Sequence, residues 1–375
     1  MERKERLSNI ELLRFFSILI IIGHHFVLYN GLTECIDINF VNRIWVQFLL
    51  VSGKLGVSLF ILISGYFLIE TMELKVEKLL KLWLQIFTYS ILAYLFYIVI
   101  LASATGENPF CISELLKNCF PLVYQNWWFA STYVVLYLFS PFLNYFLTSL
   151  NKKQYQRLLI LASVCWCIIP TSFGKAFECN HLMWFFYLYS IAGYIRRYDV
   201  IKAVPYSGNK CIIGALLIVF GVLFCLDRIK ILFLELSDYQ NEYSYFTGEN
   251  GEQRLMLLII LVSLLLFIGF QKTKIRNNKI INHISSATFG IYLIHDNPYI
   301  RSFLWNLLNK GKEYSNKPSF IPFSLSVTLL IFLGCLTLEL VRSNLLEKHY
   351  LKAVKSLSVS IETSLRNSRL WEKGK

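Results

Sequence analysis

The chain has 375 residues, of which 55% are hydrophobic, 16% aromatic and only 16% charged. Soluble domains carry about 25% charged residues, and a mean hydropathy of +0.51 over the whole length leaves more apolar side chains than a soluble core buries. This excludes an ordinary soluble enzyme, a disordered chain and a coiled coil, and predicts an all-α, polytopic integral membrane protein. A formal net charge of +13 raises the question of nucleic acid, which its distribution answers.

A bilayer core of roughly 30 Å needs about 20 apolar residues per helix. On that ruler ten spans are predicted, over 10–30, 46–69, 79–101, 122–147, 157–171, 182–198, 210–227, 254–271, 284–305 and 320–341. The first is not a cleaved signal: its apolar stretch holds two histidines, and no small-residue cleavage site follows before Arg43. Basic residues then set the orientation. The compartment holding the N-terminus collects 25 of them, against nine on the other side. By the positive-inside rule both termini are cytoplasmic. The basic excess is therefore a topology signal and a contact for lipid headgroups, and no nucleic-acid partner is expected. Residues 1–342 form the membrane domain, and 343–375 a basic cytoplasmic tail with a short surface helix.

The nine cysteines form no CxxC and no Cys/His cluster of metal-site spacing, so no metal is expected. Cys35, Cys111, Cys119 and Cys179 fall in outer segments, where they are equally compatible with pairing and with free thiols. The one long outer connection, 228–253, carries Glu235, Asp238, Glu242, Glu249 and Glu252 among Tyr239, Tyr243, Tyr245 and Phe246. Aromatic faces and carboxylates suit a sugar; the plainer reading is a solvated loop with interfacial aromatics.

Ionisable residues within spans cost about 2.5–3.5 kcal/mol each on insertion scales, so each one raises a functional question. Arg14 and His25 are eleven residues apart, which places them on one helix face, roughly 16 Å apart along the axis. A neutral imidazole is a natural general base near neutral pH; the plainer alternative is a snorkelling arginine and a histidine bonded to a neighbouring helix. In the second span Gly53, Gly56, Ser64 and Gly65 permit close helix approach. Lys75, Lys78 and Lys81 follow on one stripe, available to anionic lipid or to the phosphates of a nucleotide-bearing donor. In the ninth span Thr288, Tyr292 and His295 share a face, with His295 at a depth similar to that of His25. Near the end of the last span, Glu339 and Arg342 lie one turn apart and are predicted to pair. Pro141 is expected to kink the fourth span.

Together these residues resemble the acyltransferase-3 family of bacterial membrane O-acyltransferases. Three stretches carry the likeness: Arg14 and His25 with ten residues between them, the segment from Gly56 to Tyr66 ending in Ser64-Gly65-Tyr66, and the run from Ser285 to His295. The segment from Trp127-Trp128-Phe129 through Ser140-Pro141 is similar to the subset that acetylates surface polysaccharides. The chain departs from the pattern at Ser58, where many relatives have Asp. It also has lysines where many carry an arginine cluster, and an ammonium is the weaker bidentate phosphate ligand.

The resemblance implies transfer of an acyl group, most often acetyl, from cytoplasmic acyl-CoA to a sugar hydroxyl of a cell-surface or lipid-linked glycan, in the bacterial cytoplasmic membrane. Arg14 and His25 would be catalytic, and Lys75, Lys78 and Lys81 would hold the donor. Tyr292, His295 or Ser64 would donate to the developing oxyanion. Two other readings suit the composition: a transporter or flippase of lipid-linked sugar, and a sensor or assembly partner without turnover. Release of free CoA thiol separates an enzyme from a flippase.

Overall fold

The computed structural model describes residues 7–34, 38–106, 109–236, 253–308 and 310–367, without the side chains of Glu34, 230–236 and 365–367. Most of the acidic and aromatic outer connection, and Cys35, lie outside the described residues. Among them the structure is helical throughout, with no strand. Seven helices are long and apolar enough to cross a membrane by length and composition.

In chain order these are α1 (Ser8–Tyr29), α2 (Phe40–Leu68), α3 (Val76–Thr105), the short α4 (Ile112–Cys119) and α5 (Trp128–Ser149). Next, α6 (Lys152–Ser163) runs through a π-turn at Val164–Ile168 into α7 (Ile169–Phe173). Then come α8 (His181–Arg197), α9 (Val200–Ala203), α10 (Gly208–Leu236) and α11 (Met256–Lys272). The chain closes with α12 (Lys279–Ser286), α13 (Thr288–His295), α14 (Pro298–Leu307), α15 (Gly311–Tyr314), α16 (Phe320–Arg342) and α17 (Lys348–Asn367). Each of the ten apolar stretches predicted from the sequence is represented. Those at α8, α11 and α12–α13 fall short of an unbroken, full-length apolar span.

Helix starts follow side-chain chemistry. Asparagines cap five of them, each accepting from backbone N–H groups of the first turn: Asn39, Asn151, Asn180, Asn278 and Asn297. Asn151 forms a reciprocal capping box with Gln154.

The ninth span departs from expectation. Instead of one helix over 284–305, the chain forms α12, breaks at Ala287, forms α13, and turns at Asp296 and Asn297 into α14. Pro298 sits at the first helical position of α14, and Asn297 accepts from the N–H groups of Tyr299 and Ile300. Proline disfavours helical geometry in the residue before it, so the Asn297-Pro298 pair ends one helix and starts another. The fourth span starts at Trp128 rather than 122, because residues 121–127 form turns, with Gln125 at φ 52°. Pro141 does not interrupt α5. The Tyr137 carbonyl it deprives of a partner accepts instead from the Ser140 hydroxyl at 2.7 Å.

The helices at the centre are α1 and α2. The apolar stretch of α2 is 78% buried, against 11% for α6 and α7. Helix α1 packs against α2, α12, α13, α16 and α11. The Cβ of any side chain at Gly53 would lie 2.5 Å from the His24 ring, so only glycine lets α2 approach α1 here. At the far end, Arg43 of α2 holds Asp227 of α10 through two bonds of 2.7 and 2.9 Å.

The tail does not stand apart from the bundle. Helix α16 continues through a π-turn at Ser343–Glu347 into α17, which packs against α3. Arg342 grips Glu339 bidentately at 2.8 Å, and also Glu347 and Tyr350 at 2.8 Å each. Glu339 further accepts from Tyr89 and Gln85 of α3. Its carboxyl occupies the space that a side chain at Gly290 would need. This bidentate pair therefore ties α3, α13, α16 and α17 together.

Candidate active site

A cavity of about 900 Å³ lies among α1, α2, α3, α5 and α13. At the basic end its wall includes Arg14, Lys78, Lys81, Ser285, Glu347 and Tyr350. At the opposite end it includes His24, His25, Tyr29, Asp296, Arg301, Trp128 and His181. Arg14 and His25 thus line one continuous space, as their eleven-residue spacing predicts.

The far end is densely bonded. His25 Nδ1 lies 3.0 Å from His295 Nε2, and His295 Nδ1 lies 2.7 Å from the Ile291 carbonyl oxygen. His24 Nδ1 meets the Leu50 carbonyl at 2.9 Å, so the neighbouring ring is tied to α2. His25 Nε2 is 3.9 Å from Asp296 Oδ1. Asp296 accepts from the Tyr29 hydroxyl at 3.1 Å and lies 3.5 Å from Arg301. Arg301 in turn donates to the Tyr29 oxygen at 3.1 Å. The turn at Asn297 makes this possible, because it folds α14 back so that Arg301 faces Asp296. Tyr292 lines the same space, and its buried hydroxyl makes no hydrogen bond of ordinary geometry among the described residues.

The basic end is looser. Arg14 reaches Glu11 at 3.3 Å, and Glu11 accepts from Ser285, which links α1 to α12. Lys81 pairs with Glu77 at 2.6 Å, and the Lys78 ammonium lies 4.7 Å from the centre of the Tyr137 ring. Lys75 caps the start of α3 and is not part of the wall; its backbone N–H and carbonyl both meet the Tyr137 hydroxyl at 3.3 Å. Ser64 lines the cavity and donates to Tyr133 at 3.4 Å. Counting eleven residues along α2 from Gly53, it sits roughly 16 Å nearer the basic end than the histidines. Glu339 and Arg342 form a buried clasp behind the wall.

Four residues at the far end were not singled out from the sequence: Tyr29, Asp296, Arg301 and Lys54. Lys54 lies beside Gly53 in mid-helix and lines the cavity, its ammonium 5.8 Å from the Trp184 ring centre. A lysine inside a span was signal enough to find it. Tyr29 lies one turn after His25 on α1, so its spacing was also signal enough, while Asp296 and Arg301 follow only from the break at Asn297. Trp128 stacks near His181, ring centres 4.2 Å apart, and together they form an aromatic rim. Cys111, Cys119 and Cys179 carry free thiols. Among the described residues, no group of three or more His, Cys, Asp or Glu side chains is arranged to hold a metal ion.

The arrangement suits proton transfer at one end of the cavity: a histidine whose ring is fixed through its neighbour, a nearby carboxylate, a buried hydroxyl donor, and cations at the opposite mouth. No curated protein and no solved structure matches the chain. The family model described as an acyltransferase domain, however, matches residues 7–340, nearly the whole of the membrane bundle and every cavity residue except Glu347 and Tyr350. The protein is a multi-pass membrane acyltransferase and belongs to the acyltransferase-3 family.

Proposed function

We propose that the protein moves an acyl group, most often acetyl, from cytoplasmic acyl-CoA to a sugar hydroxyl of a cell-surface or lipid-linked glycan, in a bacterial cytoplasmic membrane. The observation that carries this reading is the single cavity with cations at one mouth and the bonded histidines at the other. Donor phosphates meet Arg14, Lys78 and Lys81, with Lys75 outside the wall adding charge at the surface. The pantetheine arm extends along α1, which brings the thioester to His25. The acceptor sugar comes from the far side, over Trp128 and His181.

His25 takes the proton of the acceptor hydroxyl as its oxygen attacks the thioester carbonyl. Tyr292 donates to the oxyanion from a buried position, where such a bond is most effective. On collapse the C–S bond breaks and the new C–O ester bond remains. The imidazolium returns its proton to the leaving thiolate as free CoA thiol, while Asp296 stands ready to balance its transient charge.

The test is mass spectrometry of surface glycans from cells lacking the gene, re-supplied with wild type or His25→Ala. An acetyl increment that returns with wild type alone supports the reading and identifies the acceptor. Full restoration by inserted His25→Ala removes His25 from the mechanism. Glycan export that depends on the gene without any change in acylation, and without CoA release, would mark a transporter instead.

A further inference from the structure

The two hydrogen bonds of His295 fix where every proton of the histidine pair lies. A carbonyl oxygen only accepts, so the ring nitrogen 2.7 Å from the Ile291 oxygen, Nδ1 of His295, carries a hydrogen. In a neutral imidazole the other nitrogen is then an acceptor, which makes Nε2 of His295 the lone-pair side. The atom 3.0 Å away is Nδ1 of His25, and it must donate. That leaves Nε2 of His25 as the bare nitrogen, on the side of the ring facing Asp296. Free histidine prefers the opposite tautomer, with the hydrogen on Nε2, in which this atom takes no proton.

We infer that His295 is a positioning residue, through which the backbone carbonyl of Ile291 holds His25 in the Nδ1–H tautomer and keeps Nε2 open as the base. The inference rests on the acyltransfer reading for its consequence in turnover, and on the bond geometry alone for the tautomer. It removes His295 from the candidate oxyanion donors: both of its nitrogens are engaged, so Tyr292 is left with that role. It also gives the break at Asn297 a purpose. Ending α13 at His295 lets its ring bond back to the carbonyl one turn earlier while Asp296 turns towards His25. Asp296 is the one neighbour that would draw the hydrogen to Nε2, and at 3.9 Å it is beyond hydrogen-bond reach, whereas the His295 contact at 3.0 Å is within it. His24 is engaged by Leu50, and Arg301 is shared between Asp296 and Tyr29, so none of them competes for the His25 Nδ1 hydrogen.

The experiment is nitrogen-15 magnetic resonance of histidine-labelled protein in lipid bilayers, with His25 assigned by its disappearance in His25→Ala, alongside turnover of the same samples. In wild type His25 should show a protonated Nδ1 and a bare Nε2. In His295→Leu that signature should shift towards the Nε2–H form, and kcat should fall about 100-fold with the KM for the acyl donor unchanged. His295→Gln keeps one donor and one acceptor and should recover a measurable part of both tautomer and kcat. A wild-type His25 carrying its hydrogen on Nε2 overturns the inference whatever the activity, and needs no variant to fold. Wild-type kcat in His295→Leu overturns it as well. If instead His25→Ala turns over normally while the tautomer is as described, the proposed base fails and the tautomer assignment stands.

Discussion

The two mouths of the cavity are built on different principles. At the far end the three clustered histidines are each held by a hydrogen bond: the Leu50 carbonyl holds His24, the Ile291 carbonyl holds His295, and His295 holds His25. At the basic end the cations are held by single ion pairs or by a ring face, and Lys78 is exposed. Chemistry at a bond tolerates little misplacement, since a shift of about 1 Å in a reacting group costs on the order of 100-fold in rate. Phosphate recognition by ammonium groups is less directional, because a lysine acts as a point charge on a flexible stem. The rigid end is where a bond would be made, and the loose end is where charge would be caught.

The contrast breaks most sharply at His25. His25→Ala should lower kcat by about 10²–10⁴-fold, with the amount of inserted protein unchanged, as measured by CoA release from purified protein in lipid. Gly290→Ala tests the support of the rigid end. Its added methyl meets the Glu339 carboxyl, so α13 must retreat from α16 and carry His295 with it. Overpacking of this kind destabilises by about 1–3 kcal/mol, visible as a lower unfolding temperature together with lost turnover. An unchanged unfolding temperature would mean that the Glu339 clasp is slack.

At the loose end, Lys78→Met with Lys81→Met should raise the KM for acyl-CoA several-fold and leave kcat nearly intact. Added salt should narrow the difference by screening, and a fall in kcat alone would contradict the division of labour. The smallest effect is expected outside the cavity, at Glu114. Lys117 and the Tyr299 hydroxyl hold its carboxyl below the usual carboxylate range. A depressed carboxylate contributes its stability above the ordinary pKa of about 4.3 and loses it as pH falls through the lowered value. Glu114→Gln should therefore unfold slightly earlier than wild type at neutral pH and together with it in acid, a difference that salt also erodes.

Much of the fold was legible because apolar length is a strong signal in a membrane: the all-helical, multi-pass class follows from it, and seven of the predicted stretches are helices long and apolar enough to cross. The Arg14 and His25 register was equally legible, since one helix fixes both positions. Residues whose role depends on a break were harder. Asp296 and Arg301 read as the continuation of an apolar helix until Asn297-Pro298 is treated as a boundary, and that dipeptide was available to be used. Lys54 was visible as a mid-span cation and was passed over in favour of the lysine stripe. Lys75 was placed in that stripe by spacing alone, while its position at the helix start removes it from the wall. Ser64 shared a motif with cavity residues yet sits far from the histidines, a depth that the predicted topology already implied, since the second span runs towards the basic side and Ser64 lies near its end.

The tail has a consequence for how the protein comes into being. The site takes Arg14 and His25 from the first helix made, His295, behind the wall, from one of the last, and Glu347 and Tyr350 from the segment after α16. A chain still emerging from the ribosome before α13 is made has His25 in place and no His295 to orient it. One complete through Arg342 still lacks a side of the basic mouth. Biosynthesis therefore completes the site only in its last stages, and a partly made chain has no assembled site.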